Sequence, residues 1–186
     1  MPEFKLQADV SKLSGLAEDY WQKMSPQDQK LEKDAFDAGA DIRNGNCTRK
    51  NLESIVRWKS ARTVPLLEHN DDAAIQKALE IASDTNTPVK EALSELIKLI
   101  GVGIPVASAI LTAIHPDRYT VIDFRALETL GHSLHDEDFY VAYLDFCRNL
   151  AVQHGVKEQK DYPAPTPLRA LDRALWQWSK KKGSND

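Results

Sequence analysis

Apolar residues recur along this chain at three- and four-residue intervals, in blocks separated by proline, glycine and short polar residues, and that period belongs to helices. Ser25-Pro26 opens a segment that runs polar-apolar to about residue 40, with proline at the first helical position. Thr48 is placed to cap a helix through Trp58 that carries Leu52, Ile55 and Val56 on one side. Asn70-Asp71-Asp72 opens another, with Ala74, Ile75, Ala78, Leu79 and Ile81 as its buried stripe. From Thr87-Pro88 the stripe is stronger: Val89, Ala92, Leu93, Leu96, Ile97 and Ile100, stopping at Gly101. Pro105 begins the next helix, and His115-Pro116 ends it near Ile114. A short extended stretch, 119 to 122, leads to Asp123, read as the N-cap of a helix ending near Gly131. A long helix follows from about 136 to 152, then a proline-rich connection (155 to 167), a last helix from about 168 to 181, and a frayed tail. Neither strand-type alternation nor a solenoid repeat is present, so the expectation is an all-α fold of about nine helices.

Composition narrows the class. Apolar residues are 42% of the 186 and aromatics 8%, enough to bury a core, so one domain spanning 1–186, or one domain of two lobes, is expected. Two distant cysteines, Cys47 and Cys147, exclude a disulfide scaffold and a four-cysteine iron–sulfur or zinc site. No apolar run approaches the ~18 residues of a membrane span. The opening MPEFKLQADV has no signal pattern, which makes the cytoplasm the default location. The net charge of −4 counts against coating DNA by bulk charge, but a local phosphate site built from backbone N–H groups and a few cations stays open.

The chemistry-bearing stretch is Leu96-Ile97-Lys98-Leu99-Ile100-Gly101-Val102-Gly103-Ile104-Pro105-Val106-Ala107. Two helices are joined by a turn with glycine on either side of Val102. The glycines allow positive φ and remove the Cβ atoms that would keep a phosphate off the backbone. The turn feeds a helix N-terminus, where free N–H groups and the helix dipole favour an anion. Ala107, Ala109 and Ala113 let the second helix pack closely, and its apolar sides predict burial. A helical hairpin with no ligand is the bland alternative.

This stretch resembles the helix-hairpin-helix/Gly-Pro-Asp superfamily of DNA glycosylases, which includes endonuclease III-like enzymes. Leu99-Ile100-Gly101-Val102-Gly103-Ile104-Pro105-Val106-Ala107 matches the family hairpin, and Val121-Ile122-Asp123 matches its downstream aspartate segment, twenty residues after Gly103. The match covers about 89 to 131, a helix-hairpin-helix plus aspartate segment. The resemblance implies a bilobal helical fold, with the hairpin on one strand of duplex DNA and Asp123 in the cleft between lobes. It also implies a structural K+ or Na+ at hairpin carbonyls, here those of Leu99 and Gly101. The chain departs from the family where bifunctional members carry a catalytic lysine: that position is Pro105, which has neither an amine nor an N–H. The implied chemistry is therefore monofunctional, with water as nucleophile and Asp123 stabilising an oxocarbenium-like sugar.

Residue by residue, the DNA contacts expected are Lys98, Gly101, Val102, Gly103, Ile104 and Arg125. Asp123 is the catalytic candidate, and a plain N-cap role on Arg125 or Ala126 is compatible with it. Arg125 has a second reading as an ion-pair partner of Asp123. Trp58, Lys59 and Tyr119 are candidates for a base pocket, with core packing the competing role for Trp58. Tyr20, Trp21, Trp176 and Trp178 read as packing residues. Arg169, Asp172 and Arg173 read as an ion-pair ladder without function, and His132, His135, Asp136 and Asp138 as a polar loop rather than a metal site. No side-chain metal site is expected. Three functions remain in order: a monofunctional glycosylase for a modified base, a non-catalytic DNA-binding module, and a protein-interaction scaffold.

Overall fold

The computed structural model describes residues 3–132, 136–154, 156–157 and 159–183. Those residues hold nine α-helices and no strand: α1 (Leu13–Gln22), α2 (Pro26–Arg43), α3 (Arg49–Ser60), α4 (Asp72–Ser83), α5 (Val89–Ile97), α6 (Ile104–Ile114), α7 (Phe124–Thr129), α8 (Glu137–Gln153) and α9 (Pro167–Lys182). The all-α expectation holds. No helix among the described residues is long and apolar enough to cross a membrane. His135 lies outside the described residues.

Several helix starts form where the sequence places a capping oxygen. Thr48 Oγ1 accepts the Asn51 N–H at 3.4 Å, Asp123 Oδ1 that of Ala126 at 3.0 Å, and Asp136 Oδ1 that of Phe139 at 2.7 Å. Two elements escaped the periodic reading. One is α1, whose buried residues are only Leu13, Leu16 and Ala17. The other is a 3-10 helix, Ala61–His69, with Pro65 inside it and Leu67 as its buried residue. Both have too few core positions to set a period.

The buried apolar residues form one contiguous cluster through all nine helices. At its centre is α6, where every residue from Val106 to Ile114 is buried. It crosses α2 so closely that a Cβ on Gly39 would lie 2.0 Å from the Ala113 carbonyl oxygen. At the far side α9 packs along α1, α7 and α8. Its buried set includes Arg169, Asp172 and Arg173 as well as leucines and alanines.

Candidate nucleic-acid interface and cleft

Two features are built from neighbouring elements. The first is the turn between α5 and α6. α5 ends at Ile97, earlier than the Gly101 stop expected, and Leu99 N–H then bonds Leu96 O at 3.1 Å. Val102 N–H closes onto Leu99 O at 3.0 Å. Asn70 clamps Ile100 from both sides: its Oδ1 accepts the Ile100 N–H at 2.7 Å, and its Nδ2 donates to Ile100 O at 3.0 Å. Asn70 is held in turn by Arg49, whose guanidinium reaches Asn70 O and Leu67 O, both at 2.6 Å.

The two glycines do different jobs. Gly101 has φ +90°, and a Cβ there would meet Leu66 Cβ at 2.9 Å, so the fold requires it. Gly103 has φ −93° and ψ 177°, ordinary extended backbone. That corrects the expectation of positive φ at both ends. A Cβ on Gly103 would meet nothing closer than Pro105 Cδ at 3.9 Å, and the residue is exposed. It caps α6 with no side-chain hydrogen bond, so the first N–H groups of that helix lack an intrahelical or side-chain partner. Lys98 is exposed, ion-paired to Glu95. Ile100 is 51% exposed beside the turn and Ile104 is half-buried, but Val102 is buried, which corrects the expectation of a DNA contact there: its side chain packs into the core.

The second feature is a cleft of about 350 Å³ whose lining includes Trp58, Lys59, Asp123, Arg169, Asp172 and Trp176. A larger hollow, about 720 Å³, lies beside Trp21, Phe36 and Pro163 and holds neither Asp123 nor the turn. Asp123 reaches the cleft because the backbone before it is pinned by buried hydrogen bonds. Tyr140 donates its hydroxyl to Thr120 O at 3.0 Å, and Tyr143 to Val121 O at 2.9 Å. Ile122 N–H donates to Ser108 Oγ on α6 at 3.0 Å. The Asp123 carboxylate then has both oxygens engaged: Oδ1 caps α7, and Oδ2 takes the Lys59 ammonium at 2.9 Å. Both side chains keep some solvent contact, 15% for Lys59 and 17% for Asp123.

The aromatic walls come from three helices. Trp58 tilts against Phe36 at 5.4 Å, and Tyr20 meets Trp176 edge-on at 5.2 Å. Trp58, Tyr20 and Trp176 therefore line the cleft as well as pack. Phe124, 69% exposed, stands next to Asp123. Arg125 does not pair with Asp123; its guanidinium lies 4.9 Å from the Phe124 ring centre and 5.0 Å from that of Trp176. The expected place of Tyr119 in a base pocket needs correction. It is 1% exposed, sits beside His115 and Arg118, and does not line the cleft, because the extended segment turns it into the core.

Beneath the cleft is a charge network that includes Arg169, Asp172 and Arg173, read from the sequence as an ion-pair ladder. Glu32 on α2 is fully buried and joins Arg173 (2.6 Å) and Arg169 (2.9 Å), while Arg169 also pairs with Asp172. The Arg169–Asp172 pair of that ladder forms, but it is buried and tied to Glu32, because α9 is covered on nearly all sides. Burial pushes the Glu32 carboxyl up, and the two arginines more than reverse it, leaving it below the usual range. Asp172 goes the other way. Burial raises it first, Arg169 opposes, and the charge of Asp123 adds to the rise, to about 6. Glu32 was visible in principle: it shares a face with Ala35, Phe36, Gly39 and Ile42, and a charge on a buried stripe needs a partner. Among the described residues no cluster of His, Cys, Asp or Glu is grouped to hold a metal ion.

Comparison with protein-family models, with curated proteins and with solved structures finds no match to this chain.

Proposed function

We propose that the chain binds duplex DNA through the 98–104 turn and hydrolyses the N-glycosidic bond of a modified base with Asp123. The observation that carries this is a largely buried carboxylate, 17% exposed, at an aromatic-walled cleft, held by a helix cap and a lysine. In this reading a phosphate rests on the uncapped start of α6, where Gly103 leaves room and Lys98 supplies charge. The nucleotide leaves the stack and enters the cleft between Trp58 and Trp176. Asp123 stabilises the positive charge that develops on the sugar and orients the attacking water, while Lys59 fixes the carboxylate. The same reading puts a K+ or Na+ against the carbonyls of Leu99 and Gly101.

The test is a panel of duplexes with single modified bases, scored for alkali-labile abasic sites. Asp123→Asn should retain DNA binding and lose at least ~10²-fold in rate. Absence of product on every duplex, or an unimpaired Asp123→Asn, refutes the reading.

A second reading is favoured by one specific feature. Both Asp123 oxygens are occupied by Ala126 N–H and Lys59, and Pro105 offers no amine. A non-catalytic module would bind duplex DNA with a steep salt dependence and release no base.

A further inference from the structure

The cleft contains a second carboxyl group that the glycosylase reading leaves idle. Asp172 projects from α9, its side chain 7% exposed, into the same cleft as Asp123, Lys59 and Trp58. Arg169 holds its Oδ2. Arg169 itself is 3% exposed, lines the cleft, and its Nε–H has no hydrogen-bond partner among the described residues. A buried guanidinium with a spare donor beside a carboxyl in the same cleft wall offers polar contact to an occupant.

We propose that Asp172 protonates the departing base, so that the cleft acts on neutral purines, the bases that must gain a proton to leave. This rests on the glycosylase reading and divides its labour between two acids. Asp123 is held as the partner of the Lys59 ammonium at 2.9 Å, whereas burial holds Asp172 above the usual carboxylate range. The charged and titratable groups around Asp172 are Arg169 and Arg173 on α9, Tyr20 on α1, Glu32 on α2, Lys59 on α3, Asp123 before α7, and Tyr143 and Cys147 on α8. Burial first and Asp123 next raise it to about 6, against the pull of Arg169 and Lys59. Roughly a tenth of molecules then carry the proton at neutral pH, the regime in which a general acid works. A carboxyl raised by burial beside one engaged by a lysine divides the acid role from the electrostatic one.

The step balances. The C1′–N bond breaks with its electron pair going to the base, and the Asp172 proton moves to a purine ring nitrogen. Water adds to C1′, its proton leaves past Asp123 to solvent, and Asp172 is reprotonated from solvent.

The experiment compares wild type and Asp172→Asn in single-turnover base release from two duplexes, one carrying hypoxanthine and one 7-methylguanine. The second base is already cationic and leaves without added protonation. Asp172→Asn should slow hypoxanthine release by ~10²–10⁴-fold and slow 7-methylguanine release at least ~10-fold less than that. Wild-type hypoxanthine release should fall as pH rises above about 6, and the variant should lose that dependence. Equal loss on both duplexes, or loss on neither, overturns the assignment. Base release from 7-methylguanine or other modified bases, but none from hypoxanthine, overturns it too and leaves the glycosylase reading standing. No release from any duplex overturns both. If Asp172→Asn does not fold, the carboxyl ¹³C shift of Asp172 in the native protein decides: a midpoint near the value for free aspartate overturns the assignment, and one near 6 supports it.

Discussion

Glu32→Gln removes one negative charge from the middle of a buried network and almost nothing else. The wild-type carboxylate meets Arg173 Nη2 at 2.6 Å and Nε at 3.2 Å, lies 2.9 Å from Arg169 Nη2, and takes the Tyr20 hydroxyl at 3.2 Å. In the variant, two buried guanidiniums face each other with only Asp172 to offset them. Breaking a buried pair from one side costs about 3–5 kcal/mol. Gln retains an acceptor oxygen, and Arg173 keeps Pro163 O at 2.6 Å, so the lower part of that range, about 3–4 kcal/mol, applies. For a chain of this length that corresponds to a Tm lower by roughly 6–16 °C. The sign with pH follows from the depressed carboxyl. A group held below its unfolded value of 4.5 stabilises the fold above that pH and loses the contribution as pH falls through its folded value. Urea unfolding of wild type and variant at neutral pH and well below 4.5 is the assay. A loss under about 1 kcal/mol at neutral pH, or one that does not shrink in acid, refutes the account.

Other outcomes follow from single contacts. Gly39→Ala should destabilise by at least about 3 kcal/mol in a urea melt although Ala is the better helix former, because its Cβ would fall 2.0 Å from the Ala113 carbonyl oxygen. Gly101→Ala should cost about 2 kcal/mol for its positive φ and the Leu66 contact, whereas Gly103→Ala should stay within about 0.5 kcal/mol and weaken DNA binding in a gel shift. For Asp172 the native state keeps a proton that the unfolded chain has released between pH 3.8 and about 6. Stability should therefore fall as pH rises through that window, by about 3 kcal/mol in total; Asp172→Asn should lack this component, and parallel denaturation curves for the two proteins would rule it out.

The helices were legible because their signals are local. Thr48 and Asp123 are capping residues with apolar periods behind them, and their caps form as the sequence suggests. The turn at 98–104 was legible as a turn, since Gly-Val-Gly followed by Ile104-Pro105 has few other uses. What supports it was not. Asn70 reads as a helix start, yet its amide spans 30 residues to hold Ile100. The pairing of Lys59 with Asp123 spans 64 residues, and nothing in the spacing of either predicts it. Tyr119 was misplaced for a related reason: in an extended segment adjacent side chains alternate faces. Which face is the cleft depends on Ser108 and Tyr143, far away in sequence.

The distribution of buried charge gives the strongest physical reason to look at this cleft. Among the described residues, the buried Asp, Glu, Lys and Arg side chains are Glu32, Arg169, Asp172 and Arg173, and all four belong to one network behind Asp123. Stability alone does not ask for this. Exchanging a buried ion network for apolar side chains of similar volume is commonly neutral or stabilising by about 1–4 kcal/mol. Here Asp172 adds a further penalty, because its ionisation is opposed by burial. A chain whose core is otherwise mostly apolar keeps an expensive set of charges where the Asp123 carboxylate, 17% exposed, and two tryptophans meet. On the proposed function, the network sets the charge and shape of the cleft floor. Replacing all four together, Glu32→Leu, Arg169→Met, Asp172→Leu and Arg173→Met, should yield a protein at least as resistant to urea as wild type. That same protein should release no base from any duplex that wild type cleaves. If the quadruple variant is instead destabilised as much as Glu32→Gln alone, the charges are there for the fold, and the functional argument from their clustering fails.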